Sequence, residues 1–224
     1  MPESLRLLDV KPGQRVLDLA CGQGVFSRYL SKAGMRVVGL DSSRELIQFA
    51  GKRSSGGMQF HVGDAGAPEV LKGEMFDRVV CLMAVQNMED IEPVFRNVAG
   101  WIGSKGNFLF VITHPCFRIP RQTHWGWDEE KKIEYRRVDH YATESRIPIL
   151  TPPMARSEHY TFTYHRPLAR YFEILGEAGL CVDRLEEWIS NKESRPGPRA
   201  KAENRARREI PLFMAIRARA LSPR

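Results

Sequence analysis

The chain has 224 residues, of which 42% are hydrophobic, and it carries a formal net charge of +7. This length suits one ordinary α/β domain with a substantial core, so we expect residues 1–224 to form a single domain. The sequence contains neither an apolar run of about eighteen residues nor a basic-then-apolar leader, which argues against a membrane span and a secretion signal. We therefore expect a cytoplasmic protein.

The four cysteines are Cys21, Cys81, Cys116 and Cys181, and they form no Cys-x-x-Cys pair. This spacing predicts reduced thiols and no structural metal. The positive charge is concentrated near the end of the chain, because residues 192–224 hold ten Lys and Arg but three Asp and Glu. Residues 1–191 hold twenty-four of each kind, so the final segment carries the whole excess. We interpret it as a solvated face, with an anionic partner as the alternative.

The first half of the chain alternates apolar runs with amphipathic segments, which predicts parallel strands connected by helices. The predicted strands are 14–19, 35–40, 58–62, 76–83 and 107–113. Three helices are predicted between these strands: 23–33, one that begins after a cap at Ser42 or Ser43, and 90–102. The pattern returns later with a helix at 168–178 and strands at 181–187 and 210–218. The pattern therefore predicts a doubly wound α/β fold with a seven-stranded, mostly parallel sheet.

Residues 114–167 interrupt this pattern after the fifth strand, and the interruption is too long for an ordinary connection. The segment contains five of the six histidines and eight of the twenty-one Phe, Trp and Tyr residues. Disordered segments are poor in aromatic residues, so we expect this one to fold against the carboxyl edge of the sheet. We interpret it as an inserted substrate lid, with Trp125 and Trp127 as its anchors.

A glycine-rich turn follows the first predicted strand, in the run Val16–Gly24. Gly22 and Gly24 allow the backbone to turn tightly and to lie against a ligand, and the following helix offers unpaired N–H groups. A dinucleotide site would have a third glycine where this chain has Ser27. An acid four residues before the first glycine, here Asp18, is typical of S-adenosylmethionine sites. Both details favour S-adenosylmethionine over a dinucleotide.

The order of these motifs resembles that of the class I S-adenosylmethionine-dependent methyltransferases, the small standalone enzymes with a Rossmann-like methyltransferase domain. Val16–Gly24 is similar to their first motif and Val38–Ser42 to their second. Gly63–Ala65 is similar to the third motif and Phe76–Leu82 to the fourth. The resemblance covers residues 13–113 by motif and 166–220 by topology. It implies S-adenosyl-L-methionine as cofactor and S-adenosyl-L-homocysteine as product.

The resemblance also implies roles for individual residues. Asp41 would accept hydrogen bonds from the ribose hydroxyls, and Asp64 would accept one from the adenine amine. Ala20 and the Gly22 turn would hold the amino-acid end of the cofactor, while Asp18 fixes the turn or meets the ammonium through water. The full predicted cofactor set is Asp18, Ala20, Cys21, Gly22, Gln23, Gly24, Asp41, Ser42, Asp64, Ala65, Met83 and Ala84. The plain structural alternative is that Asp41 and Asp64 only cap turns.

Methyl transfer from a sulfonium is an in-line displacement that depends mainly on alignment, so a catalytic base is not required. If a base acts, His114 is the first candidate because it follows the fifth strand directly, and His124 is the next, together with His165. A hydrogen-bonded structural histidine is the commoner alternative. The predicted substrate-binding residues are Gln86, Asn87, Met88, His114, Phe117, Trp125, Trp127, Tyr141 and Tyr160.

Val85–Glu89 lacks the Asn/Asp-Pro-Pro-aromatic run that grips a flipped base, which argues against methylation of a nucleobase amine. We therefore expect a small-molecule acceptor and a monomer or homodimer. A first rival hypothesis is an RNA or protein methyltransferase that docks through the basic segment; nucleic acid is less favoured but stays open. Other rivals are a non-catalytic cofactor-binding module and a nicotinamide-dependent oxidoreductase. Leu5–Leu8 could be the remnant of an N-terminal cap over the cofactor.

Overall fold

The computed structural model describes residues 1–54, 57–150 and 160–221, without the side chains of Leu150 and Tyr160. The helices are α1 Pro2–Leu8, α2 Val25–Lys32, α3 Arg44–Arg53, α4 Glu92–Trp101, α5 Leu168–Glu177 and α6 Ala200–Glu209. The strands are β1 Arg15–Leu19, β2 Arg36–Asp41, β3 Gln59–Val62, β4 Phe76–Leu82, β5 Ile102–Thr113, β6 Thr123–Asp128, β7 Ile133–Val138, β8 Ser145–Leu150, β9 Tyr160–His165, β10 Leu180–Trp188 and β11 Phe213–Ala220. A short 3₁₀ helix, Val85–Asn87, follows β4.

Seven of these strands form one sheet in the order β10-β11-β5-β4-β1-β2-β3. Strand β11 runs antiparallel to both of its neighbours, and the other pairings are parallel. This confirms the predicted α/β fold with a seven-stranded, mostly parallel sheet. The strand order reverses between β1 and β4, and in open α/β sheets such a switch point leaves a ligand-binding crevice beyond the carboxyl ends of the strands.

The sheet is buried on both faces, which explains why its central strands are nearly continuous apolar runs. On one face Phe108 and Phe110 of β5 pack with Phe95 of α4, with ring centroids 5.2–5.5 Å apart. On the other face Val80 and Leu109 pack in the cluster that includes residues of α1 and α2. Successive side chains of a strand point to opposite faces, so one strand contributes side chains to the hydrophobic core on each face of the sheet.

Two predicted strand boundaries are wrong at the antiparallel edge. The strand β5 begins at Ile102, which pairs with Phe76, and not at Asn107. The last strand begins at Phe213 and not at Ile210, because Ile210 is the C-cap of α6, which ends at Glu209. Of the two predicted N-caps of α3, Ser42 and Ser43, the structure has Ser43. Its hydroxyl accepts a hydrogen bond from the Leu46 amide at 3.3 Å.

The segment 114–167 contains regular structure that its sequence pattern did not predict. Strands β6 and β7 form one antiparallel hairpin, and β8 and β9 form a second. The first hairpin packs against α6, and the second packs against the 3₁₀ helix that follows β4. The two halves of the segment therefore lie against different parts of the domain.

Helix α1 packs on β5 and β11, where Leu7 and Leu8 are buried. Its last carbonyls accept hydrogen bonds from side chains of the sheet: Arg78 donates to Leu8 and Asp9, and Arg217 donates to Leu7. These contacts place α1 on the sheet, and its residues do not line the cleft described below. In the part of the chain that the structure describes, no helix is long and apolar enough to cross a membrane.

Candidate functional site

A cleft of about 680 Å³ opens at the carboxyl ends of β1, β2 and β3. This size lies within the range of small-molecule and cofactor sites. Five of the predicted cofactor residues line it: Ala20, Asp41, Ser42, Asp64 and Ala65. Two of the predicted substrate residues, Asn87 and Met88, line it as well. The cleft therefore brings together the ends of the motifs that the sequence singled out.

The turn after β1 is built from residues with positive φ. Ala20, Gly22 and Gly24 have φ values of 55°, 54° and 69°. A Cβ added at Gly24 would lie 3.1 Å from Ala50 and from the Phe60 ring, so close packing requires glycine there. A Cβ added at Gly22 would meet nothing within 4 Å. Gly22 thus leaves open space beside the turn, as the approach of a ligand to the backbone requires.

Asp41 joins this turn to the next loop. One of its carboxylate oxygens accepts a hydrogen bond from the Gly22 amide at 2.8 Å, and the other accepts one from the Ser43 amide at 2.9 Å. Each carboxylate oxygen can accept a second hydrogen bond, so these contacts are compatible with the ribose hydroxyls. The residue therefore caps a turn in addition to lining the cleft.

Asp64, which also lines the cleft, follows β3 and is exposed. Its Oδ1 accepts a hydrogen bond from the Gly66 amide at 2.9 Å, while Oδ2 makes no hydrogen bond within the described chain. The following backbone is fixed by Asn97 of α4, whose Nδ2 donates to the carbonyls of Ala65 and Ala67 at 2.8 and 3.0 Å. This wall of the cleft is therefore held in place independently of a ligand.

Asp18 lies beneath the turn and is 2% exposed. Burial raises the pKa of Asp18 to about 7, although the hydrogen bond from Ser27 Oγ, at 2.5 Å, acts in the opposite direction. Ser27 belongs to α2, so the contact joins β1 to the helix that begins at the glycine turn. The neighbouring Cys21 is partly buried, which raises its thiol pKa and disfavours the thiolate.

The residues after β4 form a second bend beside the cleft. Met83 has a φ of 58° and donates its amide hydrogen to the Val111 carbonyl at 2.7 Å. Gln86 is buried and donates from Nε2 to the Met83 carbonyl at 2.7 Å, so its side chain supports the bend. Ala84 packs against the main core. Met83 and Ala84 do not line the cleft, and neither do Cys21, Gln23 and the two glycines of the turn.

Asn87 and Met88 connect this bend to the second hairpin. Thr163 of β9 donates from its hydroxyl to Asn87 Oδ1 at 3.1 Å. Arg166 donates from Nη2 to the carbonyls of Met88, at 2.9 Å, and of Glu89. The loop that borders the cleft is therefore fastened to the end of the 114–167 segment.

His114 is buried, and both of its ring nitrogens have partners. Nδ1 accepts the Cys116 amide hydrogen at 3.1 Å, so Nε2 carries the ring hydrogen, 2.7 Å from Oε1 of Glu187. Phe117 packs beside the ring, with centroids 4.7 Å apart. In this arrangement the imidazole connects the beginning of the segment to β10. Neither His114 nor Phe117 lines the cleft.

The first hairpin carries three further candidates on β6, and none of them lines the cleft. His124 is exposed on β6, with Nε2 3.2 Å from the Arg121 carbonyl. The guanidinium of Arg136 lies 4.9 Å from the ring centroid of Trp125, and that of Arg199 lies 4.7 Å from that of Trp127. Trp127 therefore joins the hairpin to an arginine just before α6, whereas Trp125 contacts an arginine of the same hairpin. Neither of these contacts is with the carboxyl edge of the sheet, where the anchors were expected.

Tyr141 anchors the second hairpin from its base. Its hydroxyl accepts the Leu168 amide hydrogen at 3.0 Å at the beginning of α5, and its carbonyl lies 2.8 Å from His165 Nε2. Burial raises the pKa of Tyr141 and lowers that of His165. The side chain of Tyr160, another predicted substrate residue, lies outside the described part of the chain, as does His159.

The basic segment forms α6 and its flanks, and several of its cations are paired. Arg199 lies 3.6 Å from Glu129, Arg205 donates to Glu209 at 3.0 Å, and Arg207 donates to Ser194 at 3.3 Å. These contacts agree with the interpretation of the segment as a charged surface. Exposed pairs of this kind contribute little to stability.

Sequence reasoning missed part of the cleft and most of its support. Pro93 and Val94 of α4, together with Asp90 before it, also line the cleft. These three residues could have been predicted from the sequence, because the helix that follows β4 begins beside the switch point of the sheet. The packing of Phe60 on the glycine turn and the anchoring by Arg166 left no local pattern in the sequence, because both contacts are between distant residues.

Comparisons with known proteins agree with this geometry. A family model described as a methyltransferase domain matches residues 16–106. The crystal structure of an S-adenosylmethionine-dependent methyltransferase from Mesorhizobium loti aligns over 97% of this chain and 96% of that one, with a TM-score of 0.73 and 25% identity. Residues 16–106 are therefore similar to methyltransferase domains, and the chain as a whole shares the fold of an S-adenosylmethionine-dependent methyltransferase.

Two curated relatives match about half of the chain. Phosphoethanolamine N-methyltransferase 1 of Zea mays is 33% identical over 111 residues, which are 48% of this chain and 22% of that protein. The ubiquinone biosynthesis O-methyltransferase of Rhizobium etli is 32% identical over 114 residues, 50% of this chain and 44% of that protein. The chain thus spans less than half the length of these relatives.

Proposed function

We propose that this protein transfers the methyl group of S-adenosylmethionine to a small-molecule acceptor. The observation that carries the proposal is the cleft that both Asp41 and Asp64 line, next to the turn at Gly22, whose amide is bonded to Asp41 and where a Cβ would meet open space. Two carboxylates beside an open backbone turn suit a ligand with hydroxyl and amine donors at one end and a charged amino-acid group at the other.

In this proposal Asp41 accepts hydrogen bonds from the ribose and Asp64 Oδ2 accepts one from the adenine amine, with Ser42 and the Ala65 backbone beside them. The Ala20 carbonyl and the turn at Cys21–Gly24 hold the amino-acid end. Asp18 acts through the turn that it supports, because it is buried and bonded to Ser27. Ala20 and Met83 both have positive φ, and strain of this kind is concentrated at functional sites.

When bound, S-adenosylmethionine supplies an electrophilic methyl group on a sulfonium. The residues of the chain then have to align the acceptor behind that methyl and exclude water, which can contribute about 7–11 kcal/mol to the lowering of the barrier. Asn87 and Met88, which line the cleft, are proposed to border the acceptor, with Gln86 behind them. His114 is engaged at both nitrogens, so the proposal assigns no step to a histidine base.

Two kinds of observation support a small-molecule acceptor over RNA or protein. The two curated relatives named above are called phosphoethanolamine and ubiquinone-biosynthesis methyltransferases. The 3₁₀ helix after β4 is covered by the β8–β9 hairpin, as a small enclosed acceptor would require. A steep fall of binding with salt, measured with RNA, would favour the rival hypothesis instead.

The substitution Asp64→Ala tests the proposed cleft. Its carboxylate is exposed, so the fold should tolerate the change, whereas binding of S-adenosylhomocysteine should weaken roughly tenfold or more with the loss of a charge-assisted hydrogen bond. The matched control is Asp128→Ala, because Asp128 also caps a turn, at Lys131 N (2.8 Å), but lies on the first hairpin. Calorimetric titration of both variants would refute the assignment if they bound the ligand equally well.

A further inference from the structure

A second, small cavity lies behind the 3₁₀ helix that borders the cofactor cleft. Its volume is about 10 Å³, which is room for one water-sized group. Side chains from distant parts of the chain surround it, among them Gln86, Arg118, Thr163, Arg166 and Tyr171. The function proposed above makes no use of this cavity.

Two buried polar atoms at this cavity have no hydrogen-bond partner within the described chain. They are Oε1 of Gln86, a residue that is 7% exposed, and Nη1 of Arg166, which is 6% exposed. An unsatisfied buried donor or acceptor is unfavourable, and more so when the group is charged. Native proteins rarely retain two such atoms at one cavity without a ligand or a water between them.

The charges around the cavity are of one sign. Arg118 and Arg166 both line it, and among the described lining residues there is no carboxylate. Glu92 and Glu144, from the neighbouring elements, are paired with Arg170 at 2.5 and 3.6 Å. Burial lowers the pKa of His165, so its ring is not a further cation at neutral pH. A guanidinium buried to this extent is stabilised by an anion.

The cavity and the cofactor cleft share a wall. Arg166 holds the Met88 carbonyl, and Thr163 holds the Asn87 side chain, while Asn87 and Met88 line the cleft itself. The Asn87–Met88 segment therefore stands between the cavity and the cleft, so an acceptor would reach both Arg166 and the cofactor only when this segment moves aside. Because Thr163 belongs to β9, a small displacement of the second hairpin would enlarge the cavity.

We propose that this cavity is an acceptor subsite that takes an anionic oxygen of the substrate, a carboxylate or a phosphate ester, at Arg166 and Arg118. The Gln86 carbonyl can only accept, so the same substrate carries a hydroxyl or N–H group beside its acid group. The inference rests on the proposed methyl transfer and narrows it to acceptors with an acid group. In the bound substrate, the acid group would then lie on one side of the 3₁₀ helix, and the atom that receives the methyl would lie on the other side, in the cleft.

The experiment is a calorimetric titration of the whole chain, loaded with S-adenosylhomocysteine, with two matched pairs of probes. The pair 3,4-dihydroxybenzoate and 3,4-dihydroxybenzamide tests a carboxylate, and the pair phosphoethanolamine and ethanolamine tests a phosphate. In one pair the member with the acid group should bind roughly tenfold to hundredfold more tightly than the member without it, as a charge-assisted contact predicts. The pair that shows the preference identifies the acid group.

Three variants assign this preference to the cavity. Arg166→Gln and Arg118→Gln should each abolish it, and Arg118→Gln remains informative if the loss of the Arg166 contacts loosens the loop. The control Arg146→Gln removes an exposed arginine of β8 that lies 3.7 Å from the Phe162 ring centroid, outside the cavity, and should leave the preference intact. The subsite would be overturned if, in both pairs, the probe with the acid group and the probe without it bound equally well. It would also be overturned if the preference survived both cavity variants. Failure of S-adenosylhomocysteine to bind at all would instead overturn the proposed function on which the subsite rests.

Discussion

At Gly22, one substitution can distinguish the cost of backbone strain from the loss of space for a ligand. Its φ is 54°, and the space where a Cβ would stand is open. Gly22→Ala should therefore lower the free energy of unfolding by only about 1–2 kcal/mol, from the left-handed conformation. Binding of S-adenosylhomocysteine should fall much further, because the new methyl group would occupy the space reserved for the ligand.

Gly73→Ala is the matched control for that prediction. Gly73 also has a positive φ, 76°, and open space where a Cβ would stand, but it lies in the loop before β4 and not in the turn after β1. Denaturant titration should give similar stability losses for the two variants, and calorimetry should give a binding defect for Gly22→Ala alone. A defect of equal size in both would show that strain, and not ligand space, is measured.

The raised pKa of Asp18 predicts that the free energy of unfolding depends on pH. Its pKa in the folded protein is about 7, above the ordinary value of 3.8, so the folded state binds the proton more tightly than the unfolded state does. The contribution of Asp18 to stability is therefore complete below about pH 4 and is lost as the pH rises to about 7. The loss should amount to a few kcal/mol at most.

Asp18→Asn should remove this dependence and unfold at higher denaturant concentration than the unsubstituted protein at pH 8. The amide oxygen can still accept the hydrogen bond from Ser27. Ser27→Ala is the control that keeps the carboxyl and therefore the dependence on pH. Parallel pH profiles for the unsubstituted protein and Asp18→Asn would contradict the raised pKa.

At the scale of elements, the sheet holds α1 through buried arginines. Arg217 of β11 makes two hydrogen bonds to Asp183, both at 2.8 Å, and a third to the Leu7 carbonyl at 2.9 Å. Arg219, two residues further along, also bonds to Asp183 but is 48% exposed, against 8% for Arg217. The two arginines share a partner and differ chiefly in burial.

Arg217→Met should lower the free energy of unfolding by about 3 kcal/mol, because the Leu7 carbonyl and Asp183 lose a buried partner. Arg219→Met should change it by less than about 1 kcal/mol, as for other exposed ion pairs. Hydrogen exchange would locate the effect, with loss of protection in α1 for the first variant. Equal destabilisation by both substitutions would contradict the anchoring of α1 by Arg217.

For the whole molecule, the sequence was sufficient to predict the sheet. Apolar runs such as Phe76–Leu82 and Asn107–Thr113 are buried on both faces, so the pattern of the strands is strong and local. The motif residues Ala20, Asp41 and Asp64 were also predictable, because each follows a strand whose carboxyl end meets the same edge.

The hairpins of the 114–167 segment were not predictable in the same way. Their strands are short and partly exposed, as in Ile133–Val138, so they lack the long apolar runs that mark the central strands. The placement of Trp127 beneath Arg199 and of Arg166 behind the 3₁₀ helix depends on contacts between residues distant in sequence. The histidines and aromatic residues of this segment did indicate folded structure, but not which neighbour each would meet.

Calorimetric titration of the whole chain asks whether the cleft that Asp41 and Asp64 line binds S-adenosylmethionine. S-adenosylhomocysteine and NAD are titrated in parallel, because both contain adenosine but only the first has an amino-acid end for the turn at Cys21–Gly24. We expect saturable one-to-one binding of S-adenosylhomocysteine, weakened by Asp64→Ala, and no binding of NAD. Binding of NAD without binding of S-adenosylhomocysteine would refute the assignment of the cleft.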